Sequence, residues 1–392
     1  MLKRLAYVRT GWLPTRQANG IQTVRMCEAF AKLGAEVSLY YISSPVLRDD
    51  IFKYYGVATP FGLKTLPRAI LPLRKSFTWQ GWRWFPMYVH AFLWSGLMTY
   101  LVRRGNASLF FTREAMVAWW LGYLGLPTVL EIHTSPSSFL DRNILQQAAT
   151  RQSVKLIVSV TEHLRHDLIR TGIPQSKVIT LHDGVDMNRF NGEISKNDAR
   201  QHLGLPLDRD LVIYTGQLSA EKGVHTLVRA ALILTRAIFI LVGGQPEEID
   251  QLQNLTKKTA LENIIFAGYV SPLVVPFYLK AADVLVIPQS SQSMWSSYYT
   301  SPLKLFEYMA SGRAIVATNV PCITEVLRHG QHAWLVETDD PLSLAEGIRL
   351  LLADRSLRDR LSSGALDAAT KFSWDNRART IIDEFGKHIG AY

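Results

Sequence analysis

Two short runs carry most of the chemistry open to this chain. In SPLKLFEYMASGRAIVAT, residues 301–318, Glu307 follows Lys304 by about one helical turn, so both can point to one face of a helix. A carboxylate can accept two hydrogen bonds from a ribose diol, and a lysine near a helix start can neutralise phosphate. In YTGQLSAEKG, residues 214–223, Gly216 ends a strand-like run and Lys222-Gly223 opens the next helix. Both runs are strand–loop–helix corners where a backbone can grip a charged, diol-bearing ligand. Together they read as one nucleotide-sugar pocket assembled from consecutive α/β units.

Such corners need strands and helices to hold them, and the chain alternates the two almost throughout. The first half reads as strands at 5–8, 37–42, 108–111, 128–132, 155–160 and 178–181, separated by helices at 21–33, 85–102, 114–124, 138–150 and 162–170. Residues 45–84 read as irregular, rich in Pro, aromatic and basic groups. The polar stretch 186–206 reads as a linker. The alternation then restarts with strands at 211–215, 238–242, 264–267, 283–288, 314–318 and 333–336. Strands spaced by helices imply parallel sheets covered on both faces. The fold class is therefore α/β, with two doubly wound halves and ligands at the carboxyl ends of the strands and in the cleft between halves.

Composition bounds the reading. A chain of 392 residues calls for two domains of roughly 190 residues each. Its two cysteines, Cys27 and Cys322, lie far apart without metal-site spacing, which argues for a reducing compartment. The net charge of +10 points to anionic partners. The basic residues are scattered and no zinc-finger or RNA-binding signature is present, so nucleic acid is not expected. No signal peptide is visible. The nearly uncharged stretch Phe85–Val102 falls short of the roughly 20 apolar residues of a membrane span and contains His90, Ser95, Gly96 and Thr99. It reads as a buried core helix, with a membrane-surface segment and a true span as alternatives.

A dinucleotide site fails at the first loop, since RTGWLPTRQANG holds no G-x-G-x-x-G, and no Walker-type phosphate loop occurs. Taken over residues 5–375, and most strongly over 157–320, the order of elements and motifs resembles the retaining glycosyltransferases of the GT-B fold, family 4. The run VSVTEHLRHDLIRTGIPQSKVITLHDGVDMNRF looks like that family's approach to its interdomain linker, with Asp183 where an Asn is usual. The resemblance implies two Rossmann-like domains facing each other across a cleft. Their bounds are 1–188 on the acceptor side, 189–375 on the nucleotide-sugar side, and a helix in 376–392 crossing back to the first domain.

The resemblance also implies roles. Lys222 would bind the donor diphosphate, and a cation at a helix start suits a leaving group that gains negative charge. The family usually carries an arginine five positions earlier; here it is Gln217, with Lys304 as the substitute cation. Glu307 corresponds to the second of two family glutamates and would hold the ribose, while the first falls on Tyr299. Ser301 and Lys304 would face the phosphates; the plainer reading of Ser301 is a helix cap with Pro302 at N1. His133, in VLEIHTSP, would lie near the reacting sugar carbon. Asn19 and Gly20 would let a helix N-terminus approach the donor. Glu131 and Arg113, also at strand ends, rank below these.

No metal or other cofactor is expected, and no Asp-x-Asp run is present to hold one. The expected partners are a nucleoside-diphosphate sugar and a glycan or lipid-linked glycan acceptor, at the cytoplasmic face of the membrane. Residues 66–86 interleave Arg68, Arg74, Lys75 and Arg83 with Trp79, Trp82, Trp84 and Phe85, which suits contact with anionic lipid. The alternatives are a non-catalytic nucleotide-sugar or lipid-binding subunit and a nucleotide-sugar epimerase.

Overall fold

In the computed structural model, residues 3–67, 84–136, 138–190, 194–257 and 263–389 are described. They form two units. Unit 1 comprises the chain up to His182 together with the helix Trp374–Ile389, and unit 2 runs from Asp183 to Ser373. Sequence reading put these boundaries at 188/189 and 375/376.

Unit 1 is built on β1 (Arg4–Leu13), β2 (Glu36–Ser43), β3 (Gly62–Thr65), β4 (Leu109–Thr112), β5 (Thr128–Ile132), β6 (Val154–Ser159) and β7 (Val178–Thr180). They pair in the order β3-β2-β1-β4-β5-β6-β7 with parallel ladders throughout. Every residue of β4 and β5 is buried, as strands covered on both faces must be. Strand order reverses direction between β1 and β4. Such a switch point opens a crevice at the carboxyl ends of those two strands. The register of β1 against β2 also shifts between Val8 and Trp12, so Arg9–Gly11 leave the ladder just at that crevice. The helix Trp374–Ile389 packs on the helix Ala18–Lys32 and on β6.

Unit 2 carries β8 (Leu211–Thr215), β9 (Ile238–Val242), β10 (Ile264–Gly268), β11 (Val284–Ile287), β12 (Ala314–Thr318) and β13 (Trp334–Val336). Their order is β10-β9-β8-β11-β12-β13, all parallel. Alternate residues feed two cores on opposite faces. Leu285 and Ile287 join Ile213, Ile240 and Ile315 on one side, and Val284 and Val286 join Val212, Phe239 and Val316 on the other. Burial of each such side chain stabilises by about 1.5–3 kcal/mol before entropy is counted. The switch point here lies between β8 and β11.

Three sequence expectations change. The segment 45–84 is not wholly irregular: it contains the helix Ile51–Tyr55, capped by Asp50, and the edge strand β3. Polar groups of the helix Ala18–Lys32 hold the end of the first and the loop that leads to the second: Arg25 donates to the Tyr55 carbonyl. Glu28, ion-paired to Arg25 at 2.5 Å, accepts the Ala58 N–H at 2.7 Å. The linker 186–206 contains the helices Met187–Phe190 and Lys196–Leu203. The second is held by a buried arginine, Arg200, which bonds Asp283 at 2.6 Å and the Ala281 carbonyl at 2.9 Å. Its burial is polar, so apolar periodicity does not reveal it. The helix expected over 85–102 spans Trp84–Val102, and only one side is core. Met98 and Val102 are buried, whereas Val89, Leu93, Leu97 and Tyr100 are exposed. No helix among the described residues is long and apolar enough to cross a membrane. Of the basic, aromatic segment 66–86, residues 68–83 lie outside the described residues.

Candidate active site

At the switch point of unit 2, β8 ends at Thr215 and the chain turns at Gly216, whose φ is +131°. A Cβ at Gly216 would sit 2.7 Å from the Lys304 ammonium, so the missing side chain is what leaves room for that cation. Lys304 comes from the helix Leu303–Ala310, and its Nζ lies 3.7 Å from the centroid of the Tyr214 ring. One turn on, Tyr308 fastens this helix to β8: its hydroxyl accepts the Thr215 N–H at 2.7 Å. Lys222 sits in the turn before the helix Val224–Ile233. The next residue, Gly223, has φ +70°, and a Cβ there would overlap the Pro288 carbonyl oxygen of the loop after β11. The two loops of the switch point are thus pressed together. Lys222 Nζ lies 5.2 Å from the centroid of the Trp295 ring.

Burial pushes the Lys304 ammonium well below the usual lysine value; the nearby Lys222 charge adds to the fall and Glu307 opposes it. Lys222 is lowered too, by burial, with Cys322 and Glu221 opposing. Two desolvated lysines, one of them further weakened by the charge of the other, are a poor arrangement for an empty site and a good one for a polyanion. An arriving diphosphate raises both proton affinities. Diphosphate binding at this pair is therefore expected to take up protons, and affinity to fall as pH rises toward the ordinary lysine value. Calorimetry in buffers of different ionisation heat measures that uptake directly; a proton stoichiometry of zero across the alkaline range contradicts it.

The other residues expected in this unit are placed less uniformly. Glu307 lies on the Lys304 helix and acts electrostatically on that lysine. Ser301 does not cap the helix, which begins at Leu303 with Pro302 in the cap position. Its Oγ instead accepts the Asp183 N–H at 2.9 Å. The Gln217 side chain is exposed, and its backbone carbonyl accepts the Tyr214 hydroxyl at 2.6 Å. Tyr299 closes the short helix Met294–Tyr298.

In unit 1 the hub is Glu131, on β5 and fully buried. Its Oε1 accepts Gln22 Nε2 at 2.6 Å and lies 2.5 Å from His133 Nε2; its Oε2 accepts Arg377 Nη1 at 2.8 Å. Arg113 Nε stands 3.7 Å away and donates through Nη1 to Gln22 at 2.9 Å. Arg377 is itself fixed by the His182 carbonyl at 2.8 Å. Burial alone would raise the Glu131 carboxyl, but Arg377, His133 and Arg113 hold it well below the usual carboxylate range. Burial, helped by the Arg113 charge, lowers His133 to about 4 against the pull of Glu131. His133 is therefore neutral near pH 7. With Nε2–H given to Glu131, its Nδ1 is left as a hydrogen-bond acceptor.

Two recesses flank this hub. One, of about 250 Å³, is lined by His133, Thr134, Ser135, Asp141 and Arg113. The other, of about 310 Å³, lies at the β1/β4 switch point and is lined by Arg9, Thr10, Gly11, Asn19, Arg113 and Glu114. Asn19 is in this second recess and accepts Arg9 Nη2 at 3.1 Å. Gly20 is buried instead: the space for its Cβ is filled by the Tyr55 hydroxyl and Thr15, so the glycine serves packing within the unit rather than ligand approach. Sequence reading missed Arg9, Gln22, Glu114 and Arg377. For Arg9 the signal was available, a cation following the first strand. For Arg377, in the middle of a helix, there was none.

Comparison with known proteins agrees with both units. The family model Glycosyltransferase Family 4 matches residues 20–189, and Glycosyl transferases group 1 matches residues 195–367. The D-inositol 3-phosphate glycosyltransferase of Nocardioides sp. is 30% identical over 229 residues, 54% of this chain and 48% of that protein. The protein of the same name from Corynebacterium urealyticum is 25% identical over 384 residues, 91% of this chain and 87% of its own. Against the leading curated relatives the chain spans about half to three-fifths of their length. The solved structure of Anabaena Alr3699/HepE with UDP and glucose superposes over 100% of both chains, with a TM-score of 0.73 at 17% identity, a likeness of fold. The architecture is GT-B, and with its two units matching the two family models in order, the chain belongs to the group 1, family 4 glycosyltransferases.

Proposed function

We propose that this protein transfers a sugar from a nucleoside-diphosphate donor to a hydroxyl of a glycan or lipid-linked acceptor, with retained anomeric configuration and without a metal ion. The observation that carries the reading is the pair Lys222 and Lys304 at the carboxyl end of β8, both with lowered proton affinity, beside Gly216 and Glu307. In the proposed reaction the bond from the anomeric carbon to the diphosphate oxygen breaks, and its electron pair leaves with the diphosphate. The two lysines stabilise that growing charge. The acceptor oxygen bonds to the same face of the sugar carbon, and its proton passes to the departing phosphate oxygen. Glu307 is assigned to the ribose diol, and Ser301 and the Gly216-Gln217 backbone to the phosphates. His133, neutral, is assigned a hydrogen bond from a sugar hydroxyl.

Support for a nucleotide-sugar donor comes from the Anabaena complex with UDP and glucose. Support for an acceptor at a membrane surface comes from the exposed stripe Val89, Leu93, Leu97 and Tyr100, which ends beside Arg103 and Arg104. The test is thermal stability against UDP, GDP, ADP and their sugars. A ligand at a hundred times its Kd adds about 2.7 kcal/mol. One nucleotide series should stabilise the wild type, and Glu307→Gln should respond at least tenfold more weakly to nucleotide than to inorganic diphosphate. No response to any nucleotide rejects the donor site. Donor turnover only when an acceptor is supplied separates transfer from epimerisation and from a non-catalytic subunit.

A further inference from the structure

The recess at the β1/β4 switch point has no role in the donor site of unit 2, yet it is built from charged groups. Its charged lining is Arg9, Arg113 and Glu114. Glu114 is already committed: Thr10 donates to it from its N–H at 2.7 Å and from its hydroxyl, and burial raises its carboxyl above the usual value. Arg113 shares Glu131 with Arg377 and His133. Arg9 has no carboxylate within ion-pair distance among the described residues. Its Nη1 bonds the Asn19 carbonyl at 3.2 Å and Thr23 at 3.0 Å, and its Nη2 bonds the Asn19 side chain at 3.1 Å, while its Nε is buried without a partner. Gly11 lies across the guanidinium; a Cβ there would stand 3.0 Å from both Nε and Nη2. Burial and the Arg113 charge lower the Arg9 proton affinity. A recess with two held guanidiniums and one saturated carboxylate has a surplus cation, and Arg9 keeps N–H hydrogens on Nε and Nη2 that no partner among the described residues takes, donors that suit an oxyanion.

We propose that this recess binds a phosphate group carried by the acceptor, with Arg9 as its principal ligand and Arg113 and Asn19 beside it. The word acceptor rests on the sugar-transfer reading above; anion binding at Arg9 does not. The recess shares Arg113 with the His133 recess, so an acceptor anchored by its phosphate has the sugar-handling histidine on the far side of one side chain. The phosphate could belong to a soluble ester or to a polyprenyl phosphate in a membrane.

The experiment saturates the protein with the stabilising nucleoside diphosphate, then titrates inorganic phosphate and glycerol 3-phosphate by calorimetry. Wild type, Arg9→Lys and Arg9→Gln are compared, with melting curves to check folding. Phosphate should bind the nucleotide-loaded wild type. Arg9→Gln should weaken it about 10- to 100-fold, the range for a charged hydrogen-bonding partner. Arg9→Lys should fall between, and nucleotide affinity should stay within about twofold in all three. If Arg9→Gln unfolds, Gly11→Ala presses a methyl on the guanidinium and should weaken phosphate in the same sense. Co-sedimentation with phosphatidylcholine vesicles, with and without polyprenyl phosphate, assigns the source: Arg9-dependent gain marks a lipid, and glycerol phosphate binding without that gain marks a soluble ester. Phosphate binding absent, or unchanged in Arg9→Gln, overturns the proposal. So does loss of nucleotide affinity in Arg9→Gln, which would give the arginine to the donor. If no nucleotide binds but phosphate still binds through Arg9, it is the sugar-transfer reading that fails.

Discussion

Lys222→Ala is expected to keep its fold and lose about two to three orders of magnitude in the rate of sugar transfer, the scale seen when one preorganised donor to a developing anion is removed. The loss should fall on kcat more than on KM, because the charge on the leaving diphosphate is larger in the transition state than in the bound donor. Stability should hardly change. Lys222 makes no ion pair among the described residues, its partner is the ring of a part-exposed tryptophan, and its lowered proton affinity shows that the unliganded fold tolerates the charge poorly. The argument is stronger for Lys304. Replacing it by Met removes a desolvated ammonium and keeps the packing on Tyr214. The unliganded Lys304→Met protein should melt no lower than wild type and lose its response to nucleoside diphosphates. Melting curves with and without nucleotide, beside steady-state kinetics, decide the matter. A Lys222→Ala enzyme within tenfold of wild-type kcat would remove the lysine from the reaction.

Arg377→Met is expected to cost unit 1 about 3–5 kcal/mol, the penalty of leaving a buried carboxylate without its cation. Glu131 is fully buried and Arg377 nearly so, and their bond is 2.8 Å. At that size of unit the melting temperature should fall by about 10 °C. Glu131→Gln alone should also destabilise, since it strands Arg377. The double variant should recover a large part of the loss, and the coupling in the double-mutant cycle is the measurement. Linkage gives the same picture through pH. The Glu131 pKa is depressed in the fold, so its contribution is present above the ordinary carboxylate value and is lost as pH falls below that value toward the folded one. Additive single and double effects would show that the pair is not coupled.

Several elements were legible because their physics is local. The strands 128–132, 211–215, 238–242 and 314–318 keep the bounds expected from sequence, since buried parallel strands are largely apolar, β-branched runs between turn residues. The corner at Lys222 and the helix bearing Lys304 and Glu307 were legible for a like reason: glycine and lysine at a strand end suit charge binding whatever the rest of the chain does. The helices Ile51–Tyr55 and Lys196–Leu203 were not: the first has only five residues and is held through its Tyr55 carbonyl by Arg25, the second is held by buried Arg200, and neither polar tie carries an apolar period.

The sequence by itself determined the α/β alternation, its division into two sheets and the cationic corner of unit 2. Those follow from side-chain volume, apolarity and backbone freedom at neighbouring positions. Tertiary structure alone decided that Glu131, ranked below His133 on sequence, is the centre of unit 1. Its partners Gln22 and Arg377 lie 109 and 246 positions away, and only folding can bring together charges that separate elements carry. It also decided that Gly20 serves packing, that Ser301 holds Asp183 rather than capping its helix, and that Arg9 is left with an unpartnered nitrogen. Hydrogen bonds and ion pairs are short-ranged in space but not in sequence, so their partners are set by the fold.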